Sequence, residues 1–401
     1  MFRTYETLTD VELAFVTALK EQNDLEWAVI TEKYNKKFRK DRSLDSLKKA
    51  YSRNRDRLND TNQYVRLLRN TANAKKNNSL NSKDLRAVVE EWEKRDDILD
   101  AIQGSVKSLN KFSVKPLKLP TPGKDKKGMT LELLISDVHV GKLTDTFNND
   151  VLKRRLAQIA DTTIKEIQRA SVHYKIDKIV IALMGDMIES ATMHGVESAR
   201  GCEFGNSRQV QECLTHVFHL LLAPIFATGI EVDVIGVPGN HDRTEMNRTF
   251  NKPGEENVTW IIYKTMEEFT KLSGFKKVKW FITEQPYIVH SIYGENVLYE
   301  HYDNVKGSDL RKGIEGLMSK RTNQIKQPIH FVRGGHFHEP AEFGVGKIVV
   351  NGNVPGNDGF STVLGFDCDP TQTLNFYIKR DKSDSIKRLT SFYKRFLIQL
   401  D

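Results

Sequence analysis

Short apolar runs at Leu131 to Ile135, Ile179 to Leu183 and Val232 to Val237 alternate with stretches of helical period at Val151 to Tyr174 and Val210 to Ala227. Apolar runs of strand length separated by amphipathic helices are the pattern of an α/β domain. After Val289 the rhythm changes to runs bounded by turn residues: Asn296 to Tyr299, Ile329 to Arg333, Ile348 to Asn351, Ser361 to Phe366 and Thr373 to Ile378. These predict a second sheet. Residues Ser383 to Leu400 return to helical spacing, with Ile386, Leu389, Phe392, Tyr393 and Phe396 on one side and basic residues on the other, and predict a terminal amphipathic helix packed on its own domain.

The chain before these runs reads differently. From Thr9 to Phe112 the pattern is helical and charged, with no Gly or Pro until Gly104. Pro116, Pro120, Pro122, Gly123 and Gly128 then fall among lysines, a composition suited to a stiff, solvated connector. The expected organisation is a small all-α domain over 1–112, a linker over 113–128 and an α/β domain over 129–401.

Within the first part, Thr9 to Gln22, Leu25 to Phe38 and Ser43 to Leu58 predict three helices. Ser43 is placed to cap the third, and Asp45 falls in its first turn. Trp27, Ile30, Tyr34, Leu44, Leu47 and Tyr51 form the candidate core, which leaves Arg42, Lys48, Lys49, Arg53, Arg55 and Arg57 for phosphates. Residues 33–76 carry 15 Lys and Arg against 4 Asp and Glu, a local +11 that exceeds the +8 of the whole chain. Positive charge concentrated in this way is the footprint expected for a nucleic-acid backbone. Asn81 to Leu109 predict a further charged helix.

At 401 residues and 39% hydrophobic content, two domains are the default. Cys202, Cys213 and Cys368 lack CxxC spacing, so neither a disulfide framework nor a zinc knuckle is indicated. With no apolar signal core and no membrane-spanning run, a cytoplasmic protein is expected.

The candidate chemistry sits where the apolar runs end. Ser136-Asp137-Val138-His139, Gly185-Asp186, Gly239-Asn240-His241-Asp242, Glu300-His301 and Gly335-His336-Phe337-His338 follow one another along the chain. In an open α/β sheet, strand ends deliver side chains to a shared crevice. Asp137 and His139, two residues apart, are placed to hold one cation together, and the carboxylate of Asp186 has two oxygens with which to bridge a pair. Carboxylate, amide and imidazole donors without thiolate favour Mn²⁺, with Fe, Zn and Co as alternatives. Two such ions suit phosphoester hydrolysis.

In order, spacing and residue type the five segments resemble the calcineurin-like metallophosphoesterase superfamily, over roughly Met129 to Phe366. The resemblance implies a two-sheet sandwich flanked by helices. It also implies that Asp137, His139 and His338 join Asp186 around one metal, while Asn240, His301 and His336 join it around the other. His241 would then protonate the leaving oxygen, with Asp242 orienting its ring; many family phosphatases carry Glu where Asp242 stands.

Asp137-Val138-His139-Val140-Gly141 further resembles the opening motif of SbcD-type DNA repair nucleases and of the exonuclease subunit of archaeal family D DNA polymerases. The N-terminal helices resemble Myb-like or homeodomain-like helix-turn-helix modules. A DNA nuclease, with exonuclease as the expected mode, is therefore the leading expectation. The alternatives are a phosphomonoesterase or cyclic-nucleotide phosphodiesterase whose helical domain binds another partner, and a DNA-binding regulator with a relic catalytic domain. His194 and Arg200, in the loop after Asp186, are candidate phosphate binders. The SbcD-type resemblance implies two further partners, an ABC-type ATPase and a second copy of the chain.

Overall fold

The computed structural model describes residues 8, 10–17, 19–20, 25–54, 104, 117, 126–193, 199–244, 254–305, 309–357, 369–380 and 390–401. The chain divides into two compact units, Met1–Arg95 and Asp96–Asp401. The linker expected at 113–128 lies outside the described residues except for 117 and 126–128, as does the helix expected at Asn81 to Leu109 except for Gly104.

In the first unit, α1 (Asp10–Thr17), α2 (Trp27–Phe38) and α3 (Leu44–Asn54) close around Leu13, Val16, Ile30, Tyr34, Leu47 and Tyr51, all buried. Trp27 packs edge-on to Tyr51, with ring centroids 5.4 Å apart. The turn between α2 and α3 is clamped by Asn35, whose amide donates to the Arg42 carbonyl at 2.8 Å and accepts from the Arg42 N–H at 2.9 Å. Ser43 Oγ accepts from the Ser46 N–H at 3.3 Å, the expected cap. Glu12, buried on α1, accepts from the Tyr34 hydroxyl at 2.9 Å and pairs with Lys40 at 2.6 Å, tying α1 to the turn.

The second unit holds two sheets. β1 (Gly128–Ile135), β2 (Lys175–Leu183), β3 (Val232–Gly236) and β4 (Val278–Ile282) run parallel, linked by α4 (Asn149–Ser171), by α5 (Asn206–His216) continuing through a π-helical stretch (Val217–Leu222) into α6 (Ala223–Phe226), and by α7 (Val258–Leu272). Beside β1 lie β10 (Thr371–Ile378) and then β11 (Phe392–Gln399), both antiparallel, giving the order β11-β10-β1-β2-β3-β4. The second sheet has the order β5-β6-β7-β9-β8, from β5 (Tyr287–Ile292), β6 (Glu295–Glu300), β7 (Phe331–Gly334), β8 (Ala341–Phe343) and β9 (Ile348–Val350). A further helix, α8 (Leu310–Ile325), precedes β7.

Strand alternation assigns each side chain to a layer. Leu131, Leu133 and Ile135 of β1 face the helices, packed with Leu156, Val217 and Ile262. Leu134, with Val180, Ile235, Val297, Tyr299 and Phe331, fills the space between the sheets. Leu298 and Val332 face outward onto Ile314 and Leu317 of α8. The result is a helix–sheet–sheet–helix sandwich, the α/β class expected from the alternating runs.

The C-terminal expectation needs correction. Phe392 to Gln399 form an edge strand rather than the second half of an amphipathic helix. Phe392 and Phe396 fit a helical period, Phe396, Ile398 and Leu400 fit a strand period, and the open edge of β10 decides in favour of the strand. Residues 381–389 and the strand expected at Ser361 to Phe366 lie outside the described residues.

Candidate metal centre

Seven polar side chains from five loops converge at the carboxyl ends of β1, β2, β3, β6 and β7. Ligand-capable atoms of Asp137, His139 and His338 lie within 4.8 Å of one another, as do those of Asp186, His301 and His336. Asn240 joins the second group, its Oδ1 standing 3.1 Å from His301 Nε2. All seven residues assigned to metal from the sequence are thus brought together in two adjoining clusters.

The backbone is bent to achieve this. Asp137, His139, Asp186, His336 and His338 take left-handed conformations, with φ of 53°, 49°, 50°, 73° and 63°. Each such residue costs on the order of 1–3 kcal/mol unless its surroundings enforce it, and strain of this kind gathers at functional sites. Close approach of the loops also requires glycine. A Cβ on Gly185 would come within 2.4 Å of the Gly239 nitrogen, and one on Gly335 within 2.2 Å of Asp137 Oδ2.

The donor arrangement fits cations. His139 Nε2 and His338 Nε2 face each other at 3.2 Å, and Asp137 Oδ1 lies 3.3 Å from the latter. His301 Nδ1 is 2.7 Å from the Met184 carbonyl, which turns Nε2 toward Asp186 Oδ2 at 3.0 Å. A metal-binding imidazole is held in the same way, its far nitrogen donating to a carbonyl or carboxylate. The Asp137 carboxylate is itself held by the His336 N–H, 3.1 Å from both of its oxygens.

Charge in the cluster is strongly mutual. Burial drives the Asp186 carboxyl up, but the imidazoles of His301, His241 and His139 outweigh it and hold that carboxyl well below its usual range. Burial likewise opposes the charged form of His301, yet Asp186 raises its pKa to about 10. His336, lacking so close a carboxylate, is pushed by burial to about 4.

His241 stands beside the first cluster, its ring edge-on to His139 at 4.7 Å between centroids. Its Nδ1 is 2.8 Å from the Glu189 carbonyl. The orientation expected from Asp242 therefore comes from Glu189. Asp242 instead accepts the main-chain N–H groups of Asp186 at 2.6 Å, Met187 at 2.9 Å, Ile188 at 3.1 Å and Gly239 at 3.2 Å, locking the loop after β2 to the loop after β3. Burial and the neighbouring Asp186 raise its carboxyl to about 7 against those hydrogen bonds.

Glu189 was not among the residues singled out in the sequence. Its carboxylate lies 2.7 Å from His139 Nδ1, and although burial opposes ionisation, His139 holds its pKa near 2. A glutamate three residues after Asp186, at the end of the same loop, was the available signal. Arg243 pairs with Asp303, tying the loop after β3 to the loop after β6. The segment after β9 supports Asp137 from behind, with the Val354 N–H donating to the Asp137 carbonyl at 3.0 Å.

Of the candidate phosphate binders, Arg200 is exposed and His194 lies outside the described residues. Lys48, Lys49 and Arg53 are exposed on α3, while Arg55 and Arg57 lie outside the described residues. Arg42 is only half-exposed, and its side chain bonds to Tyr34, so part of its fork serves the helical core. No described helix is long and apolar enough to cross a membrane.

No protein-family model and no curated protein matches the chain. Among solved structures it is similar to a conserved protein of Streptococcus pneumoniae described as a predicted phosphoesterase, at 14% identity over 67% of this chain and 98% of that one, with a TM-score of 0.27. It is also similar to Vacuolar Protein Sorting 29 of Cryptosporidium parvum, at 14% identity over 67% and 95%, with a TM-score of 0.29. A structure described as a novel archaeal phosphodiesterase overlaps 67% of this chain and 99% of its own, at 10% identity and a TM-score of 0.30. Superpositions this loose assign neither fold nor chemistry, which rest on the chain's own strand order and side chains.

Proposed function

We propose that this chain is a calcineurin-like, dinuclear metal-dependent phosphoesterase that cleaves phosphodiesters in DNA and is held to its substrate by the N-terminal helices. The observation that carries the reading is the convergence of Asp137, His139 and His338 beside Asp186, His301 and His336, five of the six in left-handed backbone conformations.

Asp137, His139 and His338 with Asp186 would hold one cation, and Asn240, His301 and His336 with Asp186 the other. Nitrogen and oxygen donors without thiolate favour Mn²⁺ over softer ions. When bound, two divalent ions supply the positive charge that acidifies an attacking water and neutralises phosphoryl oxygens. The remaining work falls to the chain. Glu189 sets its carboxylate against the His139 ring and holds the His241 ring by its carbonyl, which leaves His241 Nε2 as the proton donor to the leaving oxygen. Asp242 holds the loops that carry Asp186 and Asn240 at one spacing.

DNA is favoured as substrate by the helical unit, whose exposed Lys48, Lys49 and Arg53 lie in the +11 stretch 33–76. The test is to incubate the purified protein with Mn²⁺ and end-labelled single- and double-stranded DNA, beside an aryl phosphodiester and a phosphomonoester. Cleavage of DNA and the diester is expected. Hydrolysis of the monoester alone would overturn the DNA reading.

A further inference from the structure

One buried carboxylate gathers three of the five strands that deliver ligands, and those three serve both clusters. Glu132 lies on β1, on the face turned toward the second sheet, and is fully buried with Arg333 of β7. Its Oε1 accepts from the Tyr299 hydroxyl of β6 at 2.5 Å. Its Oε2 accepts from Arg333 Nε at 2.9 Å, from Asn375 Nδ2 at 2.8 Å and from the Tyr377 hydroxyl at 2.7 Å, the last two on β10. Arg333 uses its other nitrogens on the Tyr377 hydroxyl at 2.6 Å and on the carbonyls of Val332 and Gly346, each at 2.9 Å.

Three of the four strands in this network, β1, β6 and β7, run directly into ligand loops, while β10 lies beside β1. β1 leads to Asp137 and His139, β6 to His301, and β7 to His336 and His338. The first two residues belong to one sheet and the other three to its partner sheet, so the site closes only at one relative placement of the two. The apolar side chains between the sheets attract without direction and tolerate sliding. A carboxylate with four donors around it does not, because each bond holds only over a narrow range of distance and angle.

A buried ion pair is also a poor source of stability, since well-packed apolar residues of similar volume serve as well or better. The geometry therefore points to a specific task. We propose that Glu132, acting through Arg333 and Tyr299, is a positioning residue for the metal centre, setting the inter-sheet register at which the two sets of ligands meet. This inference rests on reading that centre as metal-binding.

The test uses the full-length, metal-free protein in three forms: wild type, Glu132→Gln, and the double variant Glu132→Leu with Arg333→Met. Thermal unfolding reports the fold, and calorimetric titration with Mn²⁺ alone reports the site. The double variant should melt below the wild-type temperature, because the Tyr299 and Tyr377 hydroxyls and the Asn375 amide lose their buried partners, and its folded form should bind Mn²⁺ about tenfold more weakly, in the range of losses for supporting groups around a metal. A merely structural role would move the melting temperature and leave the affinity of the folded protein untouched. Affinity within about twofold of wild type in the folded double variant would overturn the inference. Should that variant fail to fold, Glu132→Gln decides by the same readout: about tenfold weaker binding supports the inference, and unchanged binding overturns it. A wild-type chain that takes up no Mn²⁺ would overturn the metal reading itself, a result distinct from either variant's.

Discussion

The carboxylate of Glu189 stands 2.7 Å from Nδ1 of His139, in close contact but without hydrogen-bond geometry, while Nε2 of the same ring faces His338 in the cluster with Asp137. Removing such a support commonly costs about 10- to 100-fold in metal affinity. Glu189→Ala should therefore lower metal content after dialysis, while Glu189→Gln, which keeps the shape and loses the charge, should fall between it and the wild type. Inductively coupled plasma mass spectrometry on both variants checks this, and wild-type loading in Glu189→Ala would contradict it.

His241 and Asp186 should separate catalysis from metal binding. His241→Ala removes the proton donor but no proposed ligand. It should keep its metals and lose about 10²- to 10⁴-fold in turnover. Asp186→Ala should lose both, because its carboxylate faces His301 at 3.0 Å and adjoins the first cluster through His139. Metal analysis and steady-state kinetics on the same preparations test the pair.

Asp242 belongs to the frame of the site. Its replacement by Ala would leave four main-chain N–H groups in a buried loop without their acceptor. At about 1–3 kcal/mol for an unsatisfied buried group, and with partial relaxation, a loss of about 2–4 kcal/mol is expected. Denaturant unfolding measures it. An unchanged midpoint in Asp242→Ala would show that the loops hold without this carboxylate.

The helical unit should act through phosphates. Lys49→Ala and Arg53→Ala, both at exposed positions of α3, should weaken DNA binding across all sequences and each lower the salt slope by about 1. Fluorescence anisotropy over a salt series reads this directly. Salt-insensitive affinity would instead indicate a solvated helical face.

Much of this architecture was legible in the sequence because its signals are local. The runs at 131–135, 179–183 and 232–237 are buried strands, and the polar groups that end them do meet. What stayed hidden depends on distant partners. Phe392 to Gln399 carries a spacing compatible with helix or strand, and only the open edge of β10 chooses between them. The bonds of Asp242 go to main-chain groups, which have no sequence signature. Glu132 does interrupt an apolar run, but its partners lie 167 to 245 residues away, so the run alone names none of them.

Asp186 is the residue on which metal-dependent phosphoesterase activity should turn, since its carboxylate faces His301 and adjoins the other cluster through His139. The most direct test is hydrolysis of an aryl phosphodiester by the purified, chelator-stripped protein, with and without added Mn²⁺, beside Asp186→Asn under the same conditions. Turnover that appears with Mn²⁺ in the wild type and is absent from the variant is the predicted result. Equal rates in the two proteins, or a wild-type rate indifferent to metal, would show that Asp186 holds no catalytic metal.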